Sequence, residues 1–306
     1  MANAAQRPDF DQQVTAALSE VGRLELLSER VVDGVLAGKH RSTFLGGSFE
    51  FANHRAYVPG DEIRMIDWKV FGRRDRYYIR QFEETTSLQA LMVIDCSGSM
   101  AFSQSTVSKL DYARAACACL SRLMLRQRDG VGIALVSQQV DAWLPPRGFP
   151  RYLHAILETL RTVTPHGQTH LGAALFDLPR RLKRRGMLLV FSDCLGDWDT
   201  TLSAMKHARL RGHDVILFQV MAPEELNFQF NRWSRFECLE DTGLKMDLDP
   251  VAVRDEYLRQ LQEFLQRIER DCSGLGIDRV LLSTDRRLGE ALNYYLHLRA
   301  SRSKSQ

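Results

Sequence analysis

The chain has 306 residues, 44% of them hydrophobic and 26% charged, which is material for one large α/β domain or two small ones. Lys plus Arg number 41 against 38 Asp plus Glu, a formal charge of +3 that gives no argument for a nucleic-acid or membrane-surface protein. No stretch approaches the roughly 20 apolar residues of a membrane span, and the amino terminus, with Asp9, Asp11, Glu20 and Glu25, lacks a secretory profile.

Val14, Leu18, Val21, Leu24, Leu27 and Val31 recur by threes and fours, which predicts an amphipathic docking helix over 11–37. From Gly46-Gly47 to Thr86 the pattern becomes extended, punctuated by the turn residues Pro59-Gly60 and ending in Tyr77 to Phe82; short strands and loops are expected. Leu88 to Ile94 reads as a buried strand that stops at Asp95. Leu110, Ala113, Cys117, Leu120 and Met124 then mark a helix, and Asp129-Gly130 turns the chain into a strand from Val131 to Val136. An edge strand, Val140 to Leu144, is expected to end at Pro145-Pro146.

Helices near 150–162 and 170–185, a strand over 187–193, a helix near 198–211 and a strand from Asp214 to Met221 follow. Such alternation predicts a mainly parallel, Rossmann-like α/β sheet with helices on both faces. Arg235 to Leu239 and Leu244 to Leu248, joined around Asp241-Thr242-Gly243, read as a hairpin insertion. A helix over 251–271, a strand from Arg279 to Ser283 and a helix over 286–299 resume the pattern, and Ser301 to Gln306 reads as a frayed tail. The expected organisation is a helical segment 1–43, a segment of strands and loops 44–87, an α/β core 88–222, the insertion 223–250 and a completing segment 251–300.

The chemistry concentrates at two strand ends. Asp95-Cys96-Ser97-Gly98-Ser99-Met100 offers one carboxylate and two hydroxyls at every second position, able to face one point beyond the strand. Hard oxygen donors of this kind suit Mg²⁺, with Mn²⁺ or Ca²⁺ as alternatives. Thr169, in the loop Gly167 to Gly172 before a helix, adds a third hydroxyl. Asp193 closes the strand 187–193, and in open parallel sheets ligands collect outside the carboxyl ends of the strands. Ser, Thr and Asp also cap strand ends and helix starts without any ligand. For a lone D-x-S-x-S that reading is the better one, whereas the completed set of five favours a metal.

The remaining candidates have simpler readings. Cys96, Cys117, Cys119, Cys194, Cys238 and Cys272 form no CxxC pair, so free thiols in a reducing cytosol and a soluble cytoplasmic protein are expected. Cys96 and Cys194 follow the two acids, yet free cysteines most often behave as small buried hydrophobes. His166 and His170 flank Thr169 and are expected to make ordinary loop hydrogen bonds. Arg180, Arg181, Lys183, Arg184 and Arg185 lie at a helix end, where solvation and the helix dipole account for them. For Arg73, Arg74, Arg76 and Arg80 a partner-docking surface and a solvated face weigh equally. Gly34 to Lys39 has the wrong spacing for a phosphate loop and follows no buried strand, so ATP binding is discarded.

The order Asp-x-Ser-x-Ser, Thr, Asp resembles the metal-ion-dependent adhesion site of von Willebrand factor A domains. His40-Arg41-Ser42, Gly46 to Phe51 and the run Arg55-Ala56-Tyr57-Val58-Pro59-Gly60-Asp61-Glu62-Ile63-Arg64-Met65-Ile66-Asp67-Trp68 further resemble the DUF58 family, in which R-x-Y-x-P-G-D-x-x-R-x-I-D-W precedes such a domain. Phe71-Gly72-Arg73-Arg74 departs from the pattern, which more often continues with a small residue and one arginine. The resemblance implies Ser97 and Ser99 on Mg²⁺ through their hydroxyls, Thr169 directly or through water, and Asp95 and Asp193 mainly through water. It also implies a non-enzymatic adaptor working with a MoxR-type AAA+ ATPase, or with its client, through an acidic residue of the partner. The alternative is a metal-dependent hydrolase or phosphatase, for which the sequence supplies no general base or nucleophile beside the ligands.

Overall fold

Leu91 to Ile94 and Leu188 to Phe191 lie side by side at the centre of a six-stranded sheet, buried on both faces, because a near-continuous apolar run has no solvent side to offer. The computed structural model describes residues 14, 17–37, 51–56, 77–82, 88–104, 107–182, 184–230, 233–240 and 245–302. It forms two compact units, Thr43–Ser87 and the rest of the chain. In the smaller unit β1 (Phe51–Ala56) pairs antiparallel with β2 (Tyr78–Phe82), from Phe51↔Phe82 to Ala56↔Tyr78, with an irregularity after Phe51.

The larger unit opens with α1 (Val21–Ala37) and continues through β3 (Gln89–Asp95), α2 (Lys109–Arg126), β4 (Gly130–Val136), β5 (Val140–Arg147), α3 (Tyr152–Thr162) and α4 (Leu171–Asp177). Then come β6 (Met187–Ser192), α5 (Trp198–Leu210), β7 (Asp214–Met221), α6 (Pro223–Asn227), β8 (Ser234–Glu237), β9 (Lys245–Leu248), α7 (Pro250–Gly274), β10 (Asp278–Ser283) and α8 (Gly289–Arg302). The sheet order is β10-β7-β6-β3-β4-β5, parallel throughout except for β5, while β8 and β9 form a separate antiparallel pair. The expected α/β fold, mainly parallel with helices on both faces, is the fold observed.

Alternation along each strand sorts the core into two layers. Ala90, Met92 and Ile94 of β3, with Met187, Leu189 and Phe191 of β6, pack against α1, α2, α3 and α8. Leu91 and Val93, with Leu188 and Val190, face α4, α5 and α7 instead. Phe191 and Phe218 stack with ring centroids 4.7 Å apart inside the first layer. Side-chain caps fix several helix starts: Ser108 accepts from Asp111 N–H at α2, Asp197 from Thr200 N–H at α5, and Asp249 from Val251 N–H at α7.

Three elements depart from the sequence expectation. β5 does not stop at Pro145-Pro146 but runs to Arg147, opposite Val131; as an edge strand bonded only to β4, it tolerates prolines on its open side. The helix expected over 170–185 ends at Asp177 and tightens into a 3₁₀ turn, Leu178–Arg181, at Pro179. A short helix, α6, precedes the hairpin insertion, where Pro223 occupies a first-turn position and Glu225 accepts from Ala222 N–H at 2.8 Å.

Candidate metal centre

The chain leaves β3 toward β4 and leaves β6 toward β7, in opposite directions across the sheet. Between these two strands the loops part, and their carboxyl ends form the topological switch point, the crevice position at which open α/β sheets bind ligands. Asp95 ends β3 and Asp193 follows β6, so the topology brings both acids to this point. Ser97 is the extended residue before a 3₁₀ turn, Gly98–Ala101, with its Oγ 3.1 Å from Ser99 Oγ. Thr169 arrives from the loop before α4, which is pinned to the first loop by Gly98 N–H to Gly167 O at 2.9 Å and His166 N–H to Cys96 O at 2.9 Å.

Two glycines permit the approach. A Cβ on Gly98 would overlap the carbonyl oxygen of Leu239, from the hairpin insertion, and a Cβ on Gly196 would overlap Thr169 Cγ2. The insertion therefore sits on the first loop, and the loop after β6 sits on the threonine.

Asp95 is fully buried and accepts three hydrogen bonds. Ser97 N–H donates to Oδ1 at 3.0 Å, while the Ser192 and Thr169 hydroxyls donate to Oδ2 at 2.7 and 3.3 Å. Burial, and then the neighbouring charge of Asp193, push its pKa up to about 6 despite the bonds from Ser192 and Ser97. Among the described residues no Lys or Arg pairs with this carboxylate.

Asp193 has such a partner. Lys109 Nζ, on a side chain 1% exposed, lies 2.7 Å from Asp193 Oδ2 and 2.6 Å from Glu225 Oε1. Burial alone would lower the lysine's pKa, but Asp193 and Glu225 outweigh it and the ammonium is held above its ordinary value. Glu225 is pushed up by burial, only partly offset by Lys109. The other Asp193 oxygen accepts from Leu195 N–H at 3.0 Å, a turn made possible by Cys194 in the left-handed region at φ 62°. Gln219, buried in β7, donates to the Asp193 carbonyl at 3.2 Å and accepts from Arg279.

The donor set fits a hard divalent ion. Among the described residues no three His, Cys, Asp or Glu side chains are grouped to hold a metal, so hydroxyls would have to complete any shell here. Cys96 and Cys194 are buried, and burial pushes their thiols up, to about 12 for Cys96 and well above the usual range for Cys194, so both stay protonated. All six cysteines are free.

All five sequence candidates thus lie around one crevice, four of them joined by hydrogen bonds and the fifth, Asp193, close enough to raise Asp95 electrostatically. Lys109, Glu225, Ser192 and Gln219 were not read from the sequence. For Lys109 a signal existed, since it falls in phase with the buried stripe Tyr112, Ala113, Ala116.

His166 bonds Ser137 Oγ through Nε2 at 3.1 Å and Thr164 O through Nδ1 at 3.0 Å. The pair has the contacts of a nucleophile and base, but Ser137 is only 1% exposed, out of reach of a substrate. Arg181 lies over the Trp143 ring and Arg180 beside Asp177. Arg73, Arg74 and Arg76 lie outside the described residues, and Arg80 sits on β2 opposite His54.

Among solved structures the chain is similar to an aerotolerance-related membrane protein from Bacteroides fragilis (16% identity, 68% of this chain, 98% of that chain, TM-score 0.46). It is also similar to the conserved hypothetical protein BatB from Bacteroides thetaiotaomicron (18% identity, 68% and 98%, TM-score 0.45) and to the SpRpn10 VWA domain (12% identity, 68% and 95%, TM-score 0.36). Among the described residues no helix is long and apolar enough to cross a membrane. Uncharacterized proteins of Mycobacterium bovis and Mycobacterium tuberculosis are each 30% identical over 286 residues, 92% of this chain and 88% of theirs. The model for the protein family of unknown function DUF58 matches residues 53–265, and the chain belongs to the DUF58 family.

Proposed function

We propose that the crevice holds a divalent cation, Mg²⁺ first and Mn²⁺ or Ca²⁺ as alternatives, and that the chain is a non-enzymatic module engaging an acidic residue of a partner protein. The observation that carries this reading is Asp95: a buried carboxylate raised to about 6, surrounded by Ser97, Ser99 and Thr169 and without a Lys or Arg partner among the described residues. A bound ion would supply a Lewis-acidic position for a carboxylate from outside. Asp95 and Asp193 would bring the negative charge, and Ser97, Ser99 and Thr169 neutral oxygens that leave the ion undercharged toward the partner. Exposed leucines flank the crevice, Leu195 after Asp193 and Leu239 against Gly98, as expected of a protein-facing rim.

The family resemblance points to a MoxR-type AAA+ ATPase, or its client, as that partner, and the cysteine usage to the cytoplasm as the place of work. The six free thiols accord with a reducing compartment. The test is a pull-down with tagged protein in Mg²⁺, in EDTA and with Asp95→Ala. Retention of a AAA+ ATPase that is lost in both controls is expected; retention indifferent to both would remove the ion from the interaction.

A further inference from the structure

Lys109 places a third charged partner beneath the ion loops. Its ammonium touches Asp193 and Glu225 with side-chain exposures of 1%, 1% and 12%. Stability is a poor reason for such a triad, because apolar residues of similar volume serve a buried site equally well or better. The stripe on which Lys109 sits is otherwise apolar or aromatic, with Tyr112, Ala113 and Ala116 all buried.

We infer that Lys109 is a positioning residue that sets the ion preference of the crevice, favouring Mg²⁺ over Ca²⁺ by tethering Asp193. The inference rests on the ion site proposed above. Lys109 occupies Asp193 Oδ2 and Leu195 N–H occupies Oδ1, so the carboxylate is not free to swing and grip an ion through both oxygens.

Ca²⁺ gathers about six to eight oxygens and favours direct, often two-oxygen, carboxylate contacts, whereas Mg²⁺ keeps several waters and needs few such contacts. A tethered Asp193 meets the second demand and not the first. Glu225 holds the lysine from the other side and is itself fixed by Ala222 N–H at 2.8 Å, so the tether has little freedom.

The test is isothermal titration calorimetry of the full chain with Mg²⁺ alone and Ca²⁺ alone, on wild type, Asp95→Ala, Lys109→Met, Glu225→Gln and the double variant Lys109→Met with Glu225→Leu. Lys109→Met is expected to shift the Kd ratio toward Ca²⁺ by about tenfold or more, because Asp193 becomes available as a direct ligand. Glu225→Gln, which leaves Lys109 on Asp193, should move the ratio by less than about twofold. If Lys109→Met does not fold, the double variant, which removes the lysine and its outer partner together, carries the same expectation. An unchanged ratio in a folded lysine variant overturns the inference while leaving the ion site standing. A wild type that binds neither ion, or binds them as Asp95→Ala does, overturns the ion site itself and the inference with it.

Discussion

β3 and β6 are adjacent parallel strands that end in the same way, an apolar run followed by an aspartate, yet the two acids live in opposite electrostatic circumstances. Among the described residues Asp95 is served by neutral donors, Ser97, Ser192 and Thr169, and its charge is disfavoured. Asp193, which begins the tight turn through Cys194 to Leu195, rests on the ammonium of Lys109. One acid thus has a buried counter-charge, and the other accepts from neutral groups. The same motif read along the chain supplies two different parts.

The largest effect should come from removing the satisfied side. Lys109→Met leaves Asp193 and Glu225 buried without a counter-charge and is expected to cost about 3–5 kcal/mol in urea unfolding. A loss well under 1 kcal/mol would mean that the triad is not the fixed pair of contacts described. Replacing Lys109 and Glu225 together by apolar residues should recover part of that loss.

Asp95→Asn should do the reverse. Without metal at pH 7 it is expected to be as stable as wild type or more so, by at most about 3 kcal/mol, the equivalent of a shift from 3.8 to about 6. Its divalent-ion binding should fall at least about a hundredfold by calorimetry, since the central acid is gone. Clear destabilisation of the metal-free Asp95→Asn protein would erase the contrast between the two acids.

The contrast also has a pH signature. Because Asp95's folded pKa is raised, the folded state binds a proton more readily than the unfolded chain, and the stability this contributes is fully present below 3.8 and lost as pH rises through about 6. Metal-free stability should therefore decline across that window in wild type relative to Asp95→Asn. Ion affinity should run the other way, weakening toward about tenfold per pH unit below 6, because a protonated carboxyl is no ligand. Calorimetry at pH 5 and 7 separates the two trends.

The smallest expected change belongs to Ser192→Ala. Losing the 2.7 Å bond to Asp95 Oδ2 and the bond from Cys194 N–H should cost about 1–2 kcal/mol, with the Asp95 pKa moving further up by NMR titration. An unmoved pKa would show that the serine serves the backbone alone.

Much of this site was legible before folding was considered. A run such as Leu91-Met92-Val93-Ile94 must be buried on both faces, so the polar residue that ends it falls at a strand end, and the alternation of strands with helices brings such ends to one edge of the sheet. Asp95, Ser97 and Ser99 follow from spacing alone, and Thr169 and Asp193 from their places after a loop and a strand. β5 running past Pro145-Pro146 was not legible, since only its position at the sheet edge makes prolines acceptable there.

What the sequence determined, then, is the α/β layering and the placement of five oxygen-bearing side chains near two neighbouring strand ends, because both depend on local pattern and on the polarity of strand ends. The charge state of the crevice was decided only by the tertiary structure. Lys109 meets Asp193 and Glu225 across 84 and 116 residues of chain, and whether a buried carboxylate is satisfied or left wanting a cation depends on which distant side chains the fold seats within about 3 Å of it.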